Sequence, residues 1–216
     1  MEKIFFVCAD WRALLAKEIK RKLFHSLSLL YAAGFYFLGR EGILWILVPL
    51  LAIEGTLEIA RLCIPRFNEW ILALFGGINR EKEMNRMSGI FWMLLGASIT
   101  IAVFKDQKIV LCALGYLTFS DAAASLVGLP LGRHKFLGKS LEGSLACFVA
   151  SFLVGLAFIN PLWALASAFL VTAVELLPLP LNDNFWIPIL SGCFLNLIRI
   201  TLGTYIPLIE HRLFLN

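Results

Sequence analysis

The sequence predicts an all-α integral membrane protein, a single bundle of about seven transmembrane helices with a cytoplasmic N-terminus. Composition is the first reason. Of 216 residues 60% are hydrophobic and only 16% are charged, against about 45–50% and 25% for a water-soluble chain, and the mean hydropathy is +0.83. A globule of this size cannot hide so much apolar surface. The second reason is that the apolar residues fall into runs bounded by charge, Gly or Pro, each near the ~20 residues a helix needs to cross the hydrocarbon. The third is the distribution of Lys and Arg along the chain, which alternates from loop to loop.

Taken in order, residues 1–22 form a basic cytoplasmic segment with Lys3, Arg12, Lys17, Lys20, Arg21 and Lys22. No cleavage-site pattern follows a short apolar core, so the segment is expected to stay on the mature chain. Residues 23–202 make the helical domain, with spans expected at 23–38, 43–60, 87–104, 109–126, 143–159, 162–177 and 185–202. The run 70–78 is too short to cross and reads as an interfacial or re-entrant stub. Residues 203–216 are a short tail. Summing Lys and Arg on alternate sides of these spans gives 14 against 5, and the positive-inside rule puts the richer side in the cytoplasm. The five cysteines lie singly with no CxxC spacing, and the three histidines are far apart. Neither a zinc site nor a disulfide framework is signalled. The net charge of +4 is accounted for by topology, and no nucleic-acid signature is present.

Polar residues at membrane depth are costly, by about 2.5–3.5 kcal/mol each on insertion scales, and ask for a reason. At the cytoplasmic mouth of the first span Glu18, Lys22 and His25 share a face at i, i+4, i+7, with His25 about a turn deeper than topology requires. In the second, Glu54, Glu58 and Arg61 do the same; Glu58 and Arg61 read either as an ion pair that locks the bundle or as a functional pair. The fourth span ends Thr118-Phe-Ser-Asp121-Ala-Ala-Ala-Ser125, with Gly128 just after it. A carboxylate among small and hydroxyl side chains suits a hydrated metal or a reacting hydroxyl, though a lone buried Asp also pairs simply with a neighbouring cation.

The loop Gly132-Arg-His-Lys-Phe-Leu-Gly138-Lys139-Ser140-Leu-Glu142-Gly143 leads into the fifth span. It is not a Walker A motif: five residues, not four, separate Gly132 from Gly138, and no soluble strand precedes it. Glycine-relieved backbone, cationic side chains and a helix N-terminus nevertheless favour a polyphosphate. Ser140 as an N-cap and Lys139 as a topogenic charge are the plainer readings. Glu175 near the inner end of the sixth span, and Asn182, Asp183 and Asn184 after it, complete the set; for the latter three, Asx capping in a proline-broken turn is the alternative. In the seven-span topology all these residues fall on the cytoplasmic side. The pattern describes a polar cleft at the inner leaflet, not a midplane transport path.

Read together, Glu18-Ile-Lys-Arg-Lys-Leu-Phe-His25, Glu58-x-x-Arg61, Ser120-Asp121-Ala-Ala-Ala-Ser125, Gly138-Lys-Ser-Leu-Glu-Gly143 and Glu175 with Asn182-Asp-Asn184 resemble the polyprenol kinase family. That family groups dolichol kinase, phytol and farnesol kinase, and the CTP-dependent diacylglycerol kinase of yeast. The resemblance runs from about residue 18 to about residue 192. It implies transfer of the terminal phosphate of a nucleoside triphosphate, commonly CTP, to the hydroxyl of an isoprenoid alcohol or diacylglycerol. By the same resemblance, Arg21, Lys22, Gly128, Lys139, Ser140, Glu142 and Gly143 are expected to bind nucleotide. Asp121 matches the family's aspartate.

Phosphoryl transfer needs charge neutralisation, usually by Mg²⁺, and an oriented acceptor. Asp121, Glu175 and Lys139 are thus the catalytic candidates, Asp121, Glu142 and Asp183 the metal candidates, and His25, Glu58, Arg61 and Asn184 further polar residues of the cleft. The small size resembles prokaryotic members and implies a prokaryotic inner membrane with the active site facing the cytoplasm. Its partners are then a membrane lipid, a nucleoside triphosphate and the bilayer itself. Two other functions fit the same composition: a cytidylyltransferase that makes CDP-lipid, and a non-enzymatic lipid transporter or scaffold that holds anionic headgroups. The first lacks here the closely spaced Lys-Asp and Asp-Arg-x-Asp pattern expected of it, and against the second stand Asp121, Glu142 and Glu175, which repel such headgroups.

Overall fold

The computed structural model describes residues 15–74 and 86–201. Helix α1 covers residues 15–25. It is followed by α2 (Ser28–Cys63), α3 (Pro65–Leu74), α4 (Gly89–Val103), α5 (Gln107–Leu131), a two-stranded hairpin of β1 (Lys135–Phe136) and β2 (Lys139–Ser140), then α6 (Leu141–Phe158), α7 (Pro161–Leu176) and α8 (Asp183–Thr201). The all-α expectation holds apart from that hairpin. Four helical runs are long and apolar enough to cross a membrane, 15–63, α5, α6 and α8, while α4 and α7 are shorter apolar helices. Of the stub expected at 70–78, residues up to 74 lie in α3, and the rest lie outside the described residues, as do the tail and residues 1–14.

The expected break between the first two spans is not a loop. One helical run, 15–63, contains both, and within α2 only Gly39 leaves helical geometry, at φ 70° and ψ 179°. A Cβ placed on Gly34 would lie 2.4 Å from Ile43 Cδ1, although nine residues of straight helix would separate them by about 13 Å. The chain therefore reverses at Gly39, a backbone conformation open to glycine and closed to most side chains. Arg40, next in sequence, donates to the Ala102 carbonyl near the end of α4 and ties the turn to the bundle.

Helix starts follow capping chemistry. Asp106 accepts the Lys108 and Ile109 N–H groups at 3.0 and 3.2 Å, Ser88 caps α4, and Asn160 followed by Pro161 opens α7. At the opposite end of the bundle from the polar cleft, Arg199 of α8 pairs with Asp106 at 2.8 Å.

The bundle is built around α5. In its most apolar stretch 67% of residues are buried, against 17–33% in the other three long runs. Ile109, Val110, Cys112, Leu114, Tyr116 and Leu117 are all closed off, packed by α6 on one side and by α2 and α8 on others. Outer faces carry large exposed apolar side chains such as Phe37, Trp45, Leu145, Phe169 and Ile200, which is the surface a helix presents to lipid. The central, shielded helix is also the one that carries Asp121.

Candidate active site

Asp121 lies in the C-terminal half of α5 and is buried, 5% exposed. A charge so placed needs a partner, and the partner comes from 99 residues away: Lys22 of α1 donates to Asp121 Oδ2. His25, one turn on, donates from Nε2 to the Leu117 carbonyl at 2.9 Å and stands 3.8 Å from the same carboxylate oxygen. Ser28 and Thr118 share a hydrogen bond of 2.6 Å, and Glu18 pairs with Arg21 at 2.7 Å and with Lys22 at 3.9 Å. The face of Glu18, Lys22 and His25 read from the sequence is thus the face that α1 lays against α5. Lys22 and Arg21, expected to bind nucleotide, are engaged by Asp121 and Glu18.

The glycine-rich loop is a β-hairpin. Lys135 pairs with Ser140 and Phe136 with Lys139, leaving Leu137 and Gly138 as a two-residue turn with φ of 49° and 83°. Positive φ at both positions is what a type I′ hairpin turn demands. The extended backbone lifts Lys139 away from the α5–α6 seam and toward α7 and α8. Its Nζ donates to the Glu175 carbonyl, to Glu175 Oε1 at 2.7 Å and to Asp183 Oδ2 at 3.5 Å. Burial works against the charge on Lys139, but the carboxylates of Asp183 and Glu175 outweigh it and raise its pKa above the ordinary lysine value.

Ser140 takes the plainer of its two readings, capping α6 by accepting the Gly143 N–H at 3.1 Å. Gly128 and Gly143 are a close approach: a Cβ on Gly128 would lie 2.7 Å from Ser140 Oγ and 3.3 Å from Gly143 Cα. These two glycines let α5 and the first turn of α6 touch. Glu142 points to the rim, where His134 donates to it from Nδ1 at 2.8 Å and from the backbone.

Together these elements enclose a cavity of about 290 Å³ lined by Asp121, Ser125 and Gly128 of α5, Lys139 and Ser140 of the hairpin, Ser144 of α6, Glu175, Asp183, and Glu18. Asp121, Lys139, Glu175 and Asp183, four residues far apart in sequence, share one wall system. Glu18, Lys135 and Ser144 line it as well and were not among the expected site residues. Glu18 was legible from its i, i+4 relation to Lys22, whereas Lys135 had the look of a topogenic charge and Ser144 of a helix-packing hydroxyl.

Other expected residues go elsewhere. Arg61 grips Glu58 through two nitrogens at 2.8 and 3.1 Å and reaches Asn68 Oδ1 and the Arg86 carbonyl, while Ser88 donates its N–H to Glu58 Oε2 at 2.7 Å. Neither lines the cavity. This is a buried clamp between α2, α3 and the start of α4, the locking reading of that pair. Asn184 donates to the Gly89 carbonyl at 3.3 Å.

Asp121, Glu142 and Asp183, expected together as metal ligands, are not one ligand set: Glu142 is on the rim with His134, and no group of three or more His, Cys, Asp or Glu is poised to hold a metal among the described residues. The oxygen chemistry that remains is smaller. Glu175 Oε2 is buried without a hydrogen-bond partner, with Asp183 across Lys139 from it. Mg²⁺ characteristically takes one or two carboxylates and completes its shell with water and substrate phosphates, so Glu175, with one carboxylate oxygen unpartnered, fits that ion better than the three expected. The cavity's carboxylates, Glu18, Asp121, Glu175 and Asp183, are matched by Arg21, Lys22, Lys135 and Lys139. Among the described residues the charges at the site are balanced before a triphosphate arrives, and a bound triphosphate calls for added positive charge.

No protein-family model and no solved structure matches the chain. Curated proteins do. An uncharacterized protein of Rickettsia prowazekii is 31% identical over 188 residues, which cover 82% of this chain and 91% of that protein. CTP-dependent diacylglycerol kinase 1 of Saccharomyces cerevisiae is 28% identical over 214 residues, 83% of this chain and 72% of the yeast protein. The protein of the same name from Schizosaccharomyces pombe is 27% identical over 209 residues, covering 84% and 93%. These matches cover more than four fifths of the chain, and they agree with the ordered motifs read from its sequence: the chain belongs to the polyprenol kinase family of membrane lipid kinases, which includes the CTP-dependent diacylglycerol kinases of yeasts.

Proposed function

We propose that this protein transfers the terminal phosphate of CTP to the hydroxyl of a membrane lipid alcohol, with diacylglycerol the first acceptor to test. The observation that carries the reading is the cavity where Asp121, Lys139, Glu175 and Asp183 meet, in a chain whose relatives are named CTP-dependent diacylglycerol kinases. Lys139 meets the transferring phosphate with a charge that persists at physiological pH. The N-termini of α6 and α8, represented in the cavity wall by Ser140, Gly143 and Asp183, add the positive ends of two helix dipoles. Asp121, fixed by Lys22, holds its carboxylate toward the donor. Glu175, with its unpartnered Oε2, is the residue that would hold Mg²⁺, which would supply charge neutralisation to the phosphates. No covalent intermediate with the protein is required, since phosphoryl transfer is largely a matter of positioning and electrostatics.

The proposed topology is the seven-span one, with a cytoplasmic N-terminus. If the two limbs of the 15–63 run count separately, the long and short apolar helices supply seven crossings. The cavity then opens at the cytoplasmic leaflet, where a nucleotide and a lipid headgroup meet; the proposed location is a prokaryotic inner membrane. The test crosses labelled CTP and ATP, with Mg²⁺, against diacylglycerol, phytol, farnesol and a polyprenol, using detergent-purified protein. Phosphorylated lipid with release of CDP is expected. Pyrophosphate release from CTP and phosphatidate would replace this reading with the cytidylyltransferase, and headgroup binding without any turnover would replace it with the scaffold.

A further inference from the structure

A second and larger space adjoins the donor cavity. It measures about 650 Å³ and shares Lys139 and Asp183 with the first. Its remaining wall is different in kind: among the described residues Leu62, Met87, Trp92, Leu177, Leu179 and Leu181 are apolar, with Arg86 and Asn182 the other polar residues. Helix length explains why the space exists. Helices α4 and α7, of 15 and 16 residues, extend only about 22–24 Å against a hydrocarbon core of about 30 Å. The cavity lies where both stop, at the N-terminal end of α4 (Met87, Trp92) and the C-terminal end of α7 (Val174, Leu177). Leu62, Leu177 and Leu181 are exposed, at 39%, 49% and 56%. One end of the space is therefore lined by exposed apolar side chains, while the other is the Lys139–Asp183 pair shared with the first cavity.

We propose that this second cavity seats the acceptor, a glycerolipid with ester groups beside its free hydroxyl, and that Asp183 on the shared wall receives that hydroxyl. The inference rests on the kinase reading above and gives it a direction: nucleotide on one side of Lys139 and Asp183, lipid on the other. Arg86 and Asn182 offer hydrogen-bond donors at the level of the ester carbonyls, for which a plain isoprenoid chain has no use, and Trp92 and the leucines take the first carbons of the acyl chains. A cavity mostly apolar with a few convergent polar groups is the usual form of such a site. In the transfer, the lipid hydroxyl oxygen forms a bond to the terminal phosphorus, the bond from that phosphorus to the bridging oxygen breaks, CDP departs with the bond's electron pair, and the hydroxyl proton passes to the Asp183 carboxylate.

The test is photocross-linking of purified protein with a diacylglycerol that carries a diazirine near the head of one acyl chain, mapped by mass spectrometry and competed with unlabelled diacylglycerol. Competable labels on Met87, Trp92 or residues 177–181 are expected; labels elsewhere, from a protein that transfers phosphate, overturn the acceptor site and leave the kinase standing. If the wild type transfers no phosphate the kinase reading fails, and the label position judges the cavity by itself. Leu179 lines the second cavity and not the first, so Leu179→Trp should raise KM for diacylglycerol about tenfold with KM for CTP unchanged. An equal rise for both substrates, or for CTP alone, contradicts it. Asp183→Asn should lower kcat about 100-fold with the cross-link retained, and an unchanged kcat removes Asp183 from the reaction.

Discussion

At the scale of single residues the site is governed by two long-range ion pairs. Lys22 and Asp121 are 6% and 5% exposed, so removing one partner leaves the other as an uncompensated buried charge. Lys22→Met should cost on the order of 3–5 kcal/mol, read as a fall in the unfolding midpoint in detergent. The double variant Lys22→Met with Asp121→Asn should recover most of that loss in stability while remaining inactive; a double variant no more stable than the single would refute the pairing.

Lys139 behaves differently because its native pKa is raised. A raised lysine pKa means that the contacts of Lys139 are present in full below the ordinary value and are lost only as pH climbs through the higher native one. The pH–rate profile therefore carries no alkaline limb from Lys139 below about pH 10. Profiles of the wild type and of Lys139→Arg should coincide in shape up to about pH 9, and a limb near neutrality that vanishes in the variant would contradict the assignment. Lys139→Ala, by contrast, leaves Glu175 and Asp183 facing each other and should lower kcat by a factor on the order of 100.

At the scale of elements, the hairpin and the α5–α6 contact set the position of Lys139. Gly128→Ala puts a methyl 2.7 Å from Ser140 Oγ and 3.3 Å from Gly143 Cα, and overpacking of this kind typically costs about 1–3 kcal/mol. The expected result is a raised KM for CTP together with a lowered unfolding midpoint; unchanged kinetics would mean that the hairpin does not depend on this seam.

Much of this level was legible in the sequence. The faces of Glu18, Lys22 and His25, and the Glu58–Arg61 pair, lie within one helix, where the 3.6-residue period places them. Of the polar residues flagged at membrane depth, Asp121, Lys139, Glu175 and Asp183 line one cavity, while Glu58 and Arg61 form a separate buried clamp. What could not be read is tertiary. Nothing local says that Lys22 meets Asp121 or that Lys139 crosses to Glu175 and Asp183. Nor does spacing alone distinguish a phosphate loop from a hairpin whose positive-φ turn includes a leucine. The single turn residue Gly39 was hidden for a related reason: a reversal made by one glycine leaves no loop in the pattern.

At the scale of the whole molecule, the account requires the hairpin and the Gly39 turn to face opposite sides of the membrane. In vesicles of known orientation with the cytoplasmic face inside, a cysteine-free protein carrying Lys135→Cys should react with an impermeant maleimide only after permeabilisation. The same background carrying Glu41→Cys should react directly. The reverse pattern would invert the bundle and take the cavity away from cytosolic nucleotide. The second cavity could be found only at this scale, because it arises from two short helices ending at one level and from no motif.

The most direct measurement follows the fate of two labels. Purified protein, Mg²⁺ and diacylglycerol are given CTP labelled either at the terminal or at the α-phosphate, in parallel with Asp121→Asn protein shown by its unfolding midpoint to be folded. The account predicts that the terminal label appears in the lipid, that the α-label appears in CDP, and that both transfers disappear in the variant. Terminal label left in pyrophosphate with α-label in the lipid, or undiminished transfer by Asp121→Asn, would contradict it.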